Sequence, residues 1–542
     1  MLVPKKSTVN THPKSRLRKG IFIVIGFLAA FVALITVLAF IFAEIQEPSF
    51  VNRDLVMQNE LIMPPLLEPQ IVGEEKVFVL SAENGETVFL EGKPTKTDGY
   101  NGTYLGPTLR AHKGDHVRIV VTNNLSQPIT THWHGMHLPA IMDGGPHQEI
   151  APGAVWEPHW TIENEAATLW YHPHLLGSTG EEVYSGLAGL FIIDDENSDS
   201  LGLPTEYGVD DLPFIVQDRE FRQDDEFVYA PERKDELGHT GMLGDTILVN
   251  GTYAPFVNVP AKQIRLRILN ASNARRYNFG FENGRAFYQI ATDGGLLASP
   301  VARTRMILAP GERAEVIVDL TGETEPLTLI SDAVHEENKV LRFVRTMINA
   351  ERDENQVFKI IELRSQPTAK VNETIPQLLN SIEPLPSTSA VRTRRFILNP
   401  RNRSINGKVM NHHYINEVVH SGDVEIWEII NLSGTYHPFH IHGVQFQILD
   451  RGGKPPADYE KGWKDTVLVS NAEIVHVIMR FPEFSDSSTP YMYHCHILEH
   501  EDMGMMGQFI VTDEKISKEE IYFEAADSGI ENYHNMHLSS NK

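Results

Sequence analysis

The sequence holds a single cysteine, Cys495, in 542 residues. That scarcity excludes an internal disulfide and any cysteine-rich zinc module. Basic residues are also in short supply: 47 Lys and Arg stand against 72 Asp and Glu, for a formal charge of −25. A chain this acidic carries no electrostatic footprint for nucleic acid, and its surface repels itself, which favours solubility. The basic N-terminal stretch has no paired arginines, because Leu17 separates Arg16 from Arg18. A twin-arginine export signal is therefore absent from it. The first half shows no long amphipathic helical pattern, and no methionine occurs from Asn349 to Val409.

One long apolar run is present. Ile21 to Ala43 is uncharged, and Lys5, Lys6, Lys14, Arg16, Arg18 and Lys19 precede it without an acid. The run exceeds the roughly 7–15-residue apolar core of a signal peptide and matches the ~20 residues that span a bilayer. Positive charge on its N-terminal side keeps that side in the cytoplasm. The expectation is a basic cytoplasmic segment at 1–20, a single-pass anchor at 21–43, a proline-containing spacer at 44–70, and a body outside the cell membrane. A cleaved signal of unusual length is the competing reading.

The body reads as strands and turns. Val77-Phe78-Val79-Leu80 is a buried-type run, and Val117-Arg118-Ile119-Val120-Val121 is rich in β-branched residues and closes on Asn123-Asn124. The natural class is an antiparallel β-sandwich. A unit also recurs three times. Gly114 to Asn123 leads to His132-Trp133-His134-Gly135, and Ser421 to Asn431 leads to His440-Ile441-His442-Gly443. Between them Gln263 to Asn270 leads to Tyr277-Asn278-Phe279-Gly280, a copy without histidines. Ala151-Pro152-Gly153 and Ala309-Pro310-Gly311 form a second echo. The spacing of about 150 residues is near the usual domain size. It divides the body into 71–196, 197–364 and 393–513, with a linker at 365–392 that contains Pro367, Pro376, Pro384 and Pro386 and an acidic tail at 514–542.

Four His-x-His pairs carry the chemistry: His132/His134, His172/His174, His440/His442 and His494/His496. On a strand, side chains at i and i+2 share a face about 6.6–6.8 Å apart. Two neighbouring ions accept such a pair more easily than one. Eight imidazoles suit a cluster of metal ions. Cys495 lies between His494 and His496, so on a strand its sulfur faces the other way. The spacing Cys-x4-His-x4-Met offers it His500 and Met505, with Met503 and Met506 as local competitors, and His437 is the natural second imidazole. Two histidines, a thiolate and a weak axial thioether make a blue-copper electron-transfer site. The backbone on either side of Cys495 would then carry electrons to the cluster.

These motifs, with Trp170-Tyr171-His172-Pro173-His174 and His437-Pro438-Phe439-His440, resemble those of the multicopper oxidases over roughly residues 65–513. Asp143-Gly144-Gly145-Pro146 and the stretch from Leu203 to Arg219 are similar to the bacterial laccase and copper-efflux branch. The resemblance implies an all-β chain of three cupredoxin-like Greek-key sandwiches and four copper ions. It places type 1 copper on His437, Cys495, His500 and Met505, and type 2 copper on His132 and His440. It places two type 3 coppers on His134, His172, His174, His442, His494 and His496. The implied activity couples four one-electron oxidations to reduction of dioxygen to water, with Asp143 and Glu501 as acids near the cluster.

The copper-efflux branch that the chain resembles carries a methionine-rich segment near type 1 copper, and the stretch from Asn349 to Val409 contains no methionine. Phenols or aromatic amines are therefore the expected donors, with cuprous or ferrous ions as the alternative. Two other classes compete: a non-enzymatic cell-envelope scaffold of the same fold, and a copper store. The complete ligand set and the Cys-His connection favour electron transfer over both. The topology is open to a direct check. Protease added to intact cells is expected to release the body from its anchor, and full protection would overturn the assignment.

Overall fold

Each copy of the repeated unit becomes a strand that crosses its sheet and then hands the chain to a facing sheet. In the first copy, β1 (Glu75–Thr87) runs parallel to β2 (His116–Asn123), and the chain continues into β3 (His132–His134), which pairs with β4 (Ala167–His172) in a second sheet. In the second, β5 (Asp211–Arg219) runs parallel to β6 (Gln263–Asn270), followed by β7 (Tyr277–Phe281) opposite; β8 (Arg313–Asp319) flanks β6 antiparallel. In the third, β9 (Arg392–Asn399) runs parallel to β10 (Val424–Asn431). The facing sheet there holds β11 (His437–Ile441), β12 (Thr466–Val469), β13 (Asp486–Cys495) and β14 (Met506–Val511). The three repeated stretches thus occupy the same place in three pairs of sheets. The sheets are mixed, not purely antiparallel, because the first strand of each unit pairs alongside the repeated strand after an excursion elsewhere.

The computed structural model describes residues 49–231, 241–334, 356–367, 374–399 and 403–514, with 31, 33 and 34 besides. The chain divides into one unit of Val51–Asp332 with Val357–Lys542, which carries every core and site residue described below, and another of Met1–Phe50 with Ala333–Gln356. The chain is nearly all-β. Among the described residues no helix is long and apolar enough to cross a membrane. Apart from Phe31, Ala33 and Leu34, the apolar run at 21–43 lies outside the described residues, as does the tail from 515 onward.

Strand period explains the cores. Along β2, Val117, Ile119 and Val121 are buried against Phe78, Leu80, Trp133 and Phe191. Along β6, Ile264, Leu266 and Ile268 pack with Tyr277 and Phe279, residues that stand where the other copies have histidines. In the third copy Trp427 and Ile429 of β10 pack with Phe439, Tyr493 and Cys495. Burial on this scale supplies the main driving force of folding.

The opposite face of β6 is also buried, but by charge. Arg267 forks onto Asp211 of β5 at 2.6 and 3.0 Å, and its remaining terminal nitrogen donates to Glu315 of β8 and Thr168 of β4, each at 2.9 Å. Arg265 pairs with the other oxygen of Glu315. Burial raises the Glu315 carboxyl, but the two guanidinium groups prevail and hold it at about 2. Thr168 belongs to the first pair of sheets, so this network ties the first two copies together.

Removing one partner from such a network strands a buried charge, at a cost of about 3–5 kcal/mol. Arg267→Ala is expected to lower the denaturant midpoint of unfolding by that equivalent. An unchanged midpoint would show that the network contributes nothing to stability.

Candidate metal centres

Two buried groups of metal-ligating side chains meet at the end of β13. The first surrounds Cys495. Antiparallel pairing sets Phe439 of β11 opposite Cys495, which brings His437, at the start of β11, beside the sulfur. His437 Nδ1 lies 3.3 Å from Cys495 Sγ, and His500 Nδ1, from the short helix α1 (Leu498–Asp502), lies 3.7 Å from it. The Ser433 hydroxyl meets the other nitrogen of His437 at 3.2 Å, which leaves Nδ1 to face the sulfur. Burial pushes the Cys495 thiol well above its ordinary range. A ligated metal ion reverses this by deprotonating the thiol.

Met505 returns to the same place after α1. Its N–H donates to the His500 carbonyl at 2.8 Å, its carbonyl accepts the Cys495 N–H at 3.1 Å, and its side chain lies in the core that contains Cys495. Met506 packs instead with Met410 and Met492, and Met503 is half-exposed. Of the three methionines, the sequence spacing and the packing agree on Met505.

The second group gathers all four His-x-His pairs, every one of the eight side chains buried. β3 and β4 pair His132 with His172, and β11 and β13 pair His440 with His494. Three nitrogens converge: the Nε2 atoms of His174, His442 and His494 lie 3.0, 3.1 and 3.2 Å apart. Elsewhere His134 Nδ1 faces His172 Nε2 at 3.3 Å, with the His496 ring centroid 5.0 Å from that of His134. His132 stacks on His442 at 3.8 Å, and His134 on His440 at 3.7 Å.

The hydrogen bonds outside the cluster test whether a metal fits. His132 Nδ1 meets the Asp143 carbonyl at 2.9 Å, and His440 Nδ1 meets the Asp465 carbonyl at 2.8 Å. His442 Nδ1 meets the Asp143 carboxyl at 2.7 Å, and His172 Nδ1 the Pro173 carbonyl at 2.7 Å. The Cys495 carbonyl lies 3.1 Å from His494 Nδ1, and Glu501 pairs by charge with His174 Nδ1, at 3.3 Å, and with His494 Nδ1, at 3.0 Å. Each outer nitrogen faces an oxygen acceptor and so carries the proton, which makes each inner Nε2 a bare acceptor. Three acceptors at 3.0–3.2 Å cannot bond to one another, and the buried Nε2 atoms of His132, His440 and His496 have no hydrogen-bond partner. Burial, reinforced by the neighbouring imidazoles, drives His132, His440, His442 and His496 well below the usual histidine range and His174 down to about 4, so protons do not fill the gap. Cationic metal meets the requirement.

Both expected acids are present. Burial raises Asp143 well above the usual carboxyl range. Burial also raises Glu501, but the imidazoles of His174 and His494 prevail and hold it at about 2. A third carboxylate escaped the sequence analysis. Asp465, the residue before β12, places Oδ1 3.0 Å from His134 Nε2 and is held by Arg313 of β8. The only sequence signal for it is three polar residues, Lys464-Asp465-Thr466, heading the apolar run Val467-Leu468-Val469. None of His112, His116, His137, His147 and His159 lies in either group.

Comparison with known proteins agrees with this chemistry. Two multicopper oxidase family models match residues 81–198 and 382–515. The chain is 37% identical to multicopper oxidase mco of Staphylococcus aureus, over 84% of this chain and 93% of that one. It is 36% identical to cell division protein FtsP of Photorhabdus laumondii, over 85% of this chain and 94% of that one. The crystal structure of a laccase from Pediococcus acidilactici superposes with a TM-score of 0.75 at 34% identity, covering 84% of this chain and 94% of the laccase.

The convergent triangle yields a simple expectation. His442→Ala is expected to lower the copper retained after dialysis by at least one ion per chain. Retention equal to the unsubstituted protein would refute the role of this triangle as a metal site.

Proposed function

The chain belongs to the multicopper oxidase family, and from that premise we propose that it is an extracytoplasmic, laccase-like oxidase. It takes four electrons, one at a time, from phenols or aromatic amines and delivers them with four protons to one dioxygen, giving two waters. Four copper ions supply the one-electron chemistry and the oxygen binding. In this reading His437, Cys495, His500 and Met505 hold type 1 copper, and His132 and His440 hold type 2. His134, His172 and His496 hold one type 3 ion, and His174, His442 and His494 hold the other. The first and third of three cupredoxin-like sandwiches carry these residues, in a body outside the membrane tethered by the run at 21–43.

The observation that carries the proposal is the covalent junction at the end of β13. Cys495 lies in one ligand group and His494 in the other, and the His496 ring lies 5.0 Å from His134 and 5.5 Å from His172 of that second group, all buried. Electrons that arrive at the sulfur have a path of a few bonds to two imidazoles of the cluster. Water is excluded from that path by Phe439, Ile497 and Tyr493. Asp143 and Glu501 lie, like Asp465, within hydrogen-bond reach of cluster imidazoles; in this reading Asp143, whose carboxyl burial raises, holds a proton to give, and Glu501 is a carboxylate that accepts and passes one on.

The likeness to a cell division protein favours a second reading, in which the fold serves as a scaffold without turnover. The two readings separate in one experiment. Oxygen uptake by the copper-loaded protein is measured with phenols, aromatic amines, Cu(I), Fe(II) and Mn(II), beside Cys495→Ser. Uptake of one oxygen per four donor equivalents is expected with phenols or amines. Cys495→Ser should lose the blue colour and the uptake while its unfolding transition remains. Turnover confined to metal ions would replace the donor class. No turnover with any donor at full copper loading would overturn the oxidase.

A further inference from the structure

Six of the eight cluster imidazoles share one orientation, and His134 departs from it. His132, His172, His174, His440, His442 and His494 all turn Nδ1 outward to an oxygen. His134 is reversed: Nε2 points outward, 3.0 Å from Asp465 Oδ1, and Nδ1 points inward to His172.

Arg313 fixes the carboxylate that causes this. A guanidinium has five N–H donors in a rigid fork, and all five are engaged. Nε donates to the Thr168 carbonyl at 2.9 Å, Nη1 to the Gly311 carbonyl at 3.1 Å and Asp465 Oδ1 at 2.7 Å, and Nη2 to the Asp293 carbonyl at 2.9 Å and Asp465 Oδ2 at 2.6 Å. The Arg313 N–H is itself held by Asp293 Oδ1 at 2.7 Å. With its charge matched by Arg313, Asp465 can only accept, so His134 must donate from Nε2. The same residue offers its backbone carbonyl to His440 Nδ1 at 2.8 Å, and the rings of His134 and His440 stack with their planes 12° apart.

We propose that Asp465 is a positioning residue that sets the tautomer of His134 and locks it against His440, and that the pair of sheets without copper ligands serves the cluster by supplying Arg313 to hold Asp465. The proposal rests on the copper reading above for its effect on metal, but not for its effect on the imidazole. His134 and His440 belong to different copper types, so Asp465 ties a type 3 ligand to a type 2 ligand. Arg313 reaches them from β8, and the nearby Gly311, with φ of +82°, leaves room for the His496 ring, which an added Cβ would meet at 2.9 Å.

Two variants test this in the full chain. In Asp465→Asn the shape is kept, but an amide now faces either the Arg313 fork or His134 with donors. Arg313→Lys keeps the charge and loses the fork. The metal-free protein, labelled with 15N-histidine, is expected to show His134 as the Nε2–H tautomer, a signature lost or mixed in Asp465→Asn. After copper loading, both variants should keep the blue absorption of the Cys495 site. Their type 2 paramagnetic resonance should shift, at least one copper should be lost on dialysis, and oxygen turnover should fall at least tenfold. An unchanged tautomer in Asp465→Asn overturns the proposal, as do unchanged resonance and copper retention. If Asp465→Asn does not fold, Arg313→Lys decides: an unaltered type 2 resonance and tautomer overturn it. Loss of the blue band in unsubstituted protein would instead count against the copper reading and leave the tautomer result standing.

Discussion

The register between β11 and β13 governs both metal centres. It sets His440 opposite His494 and Phe439 opposite Cys495. A slip of one residue would exchange the faces, sending the sulfur toward the histidine cluster and the histidines into the core. The register is held from both sides. β12 pairs with β11 and β14 with β13, so neither strand lies at an edge of its sheet. The Cys495 N–H also donates to the Met505 carbonyl, beyond α1, and that contact closes the loop that carries His500. One alignment of two strands therefore determines which ligands meet the sulfur and which meet the cluster.

What the strands bring together, the carboxylates orient. Imidazole has two nitrogens, and a ligand must offer the unprotonated one. Asp143 serves His132 through its carbonyl and His442 through its carboxyl. Glu501 serves His174 and His494, and Asp465 serves His134 and His440. Three acidic residues thus fix six of the eight imidazoles, two apiece, each bridging histidines distant in sequence. Their own charges need an answer in a site closed to water, since a buried unpaired charge is costly. Asp465 has Arg313. Burial drives Asp143 toward its neutral form. Glu501 has only the imidazoles, and metal ions bound behind those rings would supply the positive charge it faces.

The residue types and spacings displayed the ligands because the chemistry is local: His-x-His is a period-two pattern, and the interval from Cys495 to Met505 spans one short helix and its return. The three repeats were legible because β2, β6 and β10 must each cross a sheet. The parallel pairing of β1 with β2 was not, since it depends on where the chain goes between them. Asp465 and Arg313 were hidden for the same reason. They are 152 residues apart and meet only through packing of different sheet pairs. The arginines of β6 illustrate the limit. Alternation marks Ile264, Leu266 and Ile268 as inward and would assign Arg265 and Arg267 to solvent, yet both are buried against Asp211 and Glu315.

The energetics of the cluster bear on whether it is used. Eight imidazoles have been taken out of water, and several present lone pairs to one another or to nothing. An unsatisfied buried polar group costs about 1–3 kcal/mol, and apolar residues of similar volume would fill the same space without that cost. A protein that needed only the three pairs of sheets would be more stable with such residues in place of His174, His442 and His494. A metal ion bound there would offset that cost. The chain holds eight histidines, three acidic residues that face six of them, and the arginine that orients one of those carboxylates. That depth of support fits a site whose geometry matters as well as its occupancy. Structural metal requires only that ligands reach an ion, whereas electron transfer between two groups requires the fixed junction that Cys495 provides between them.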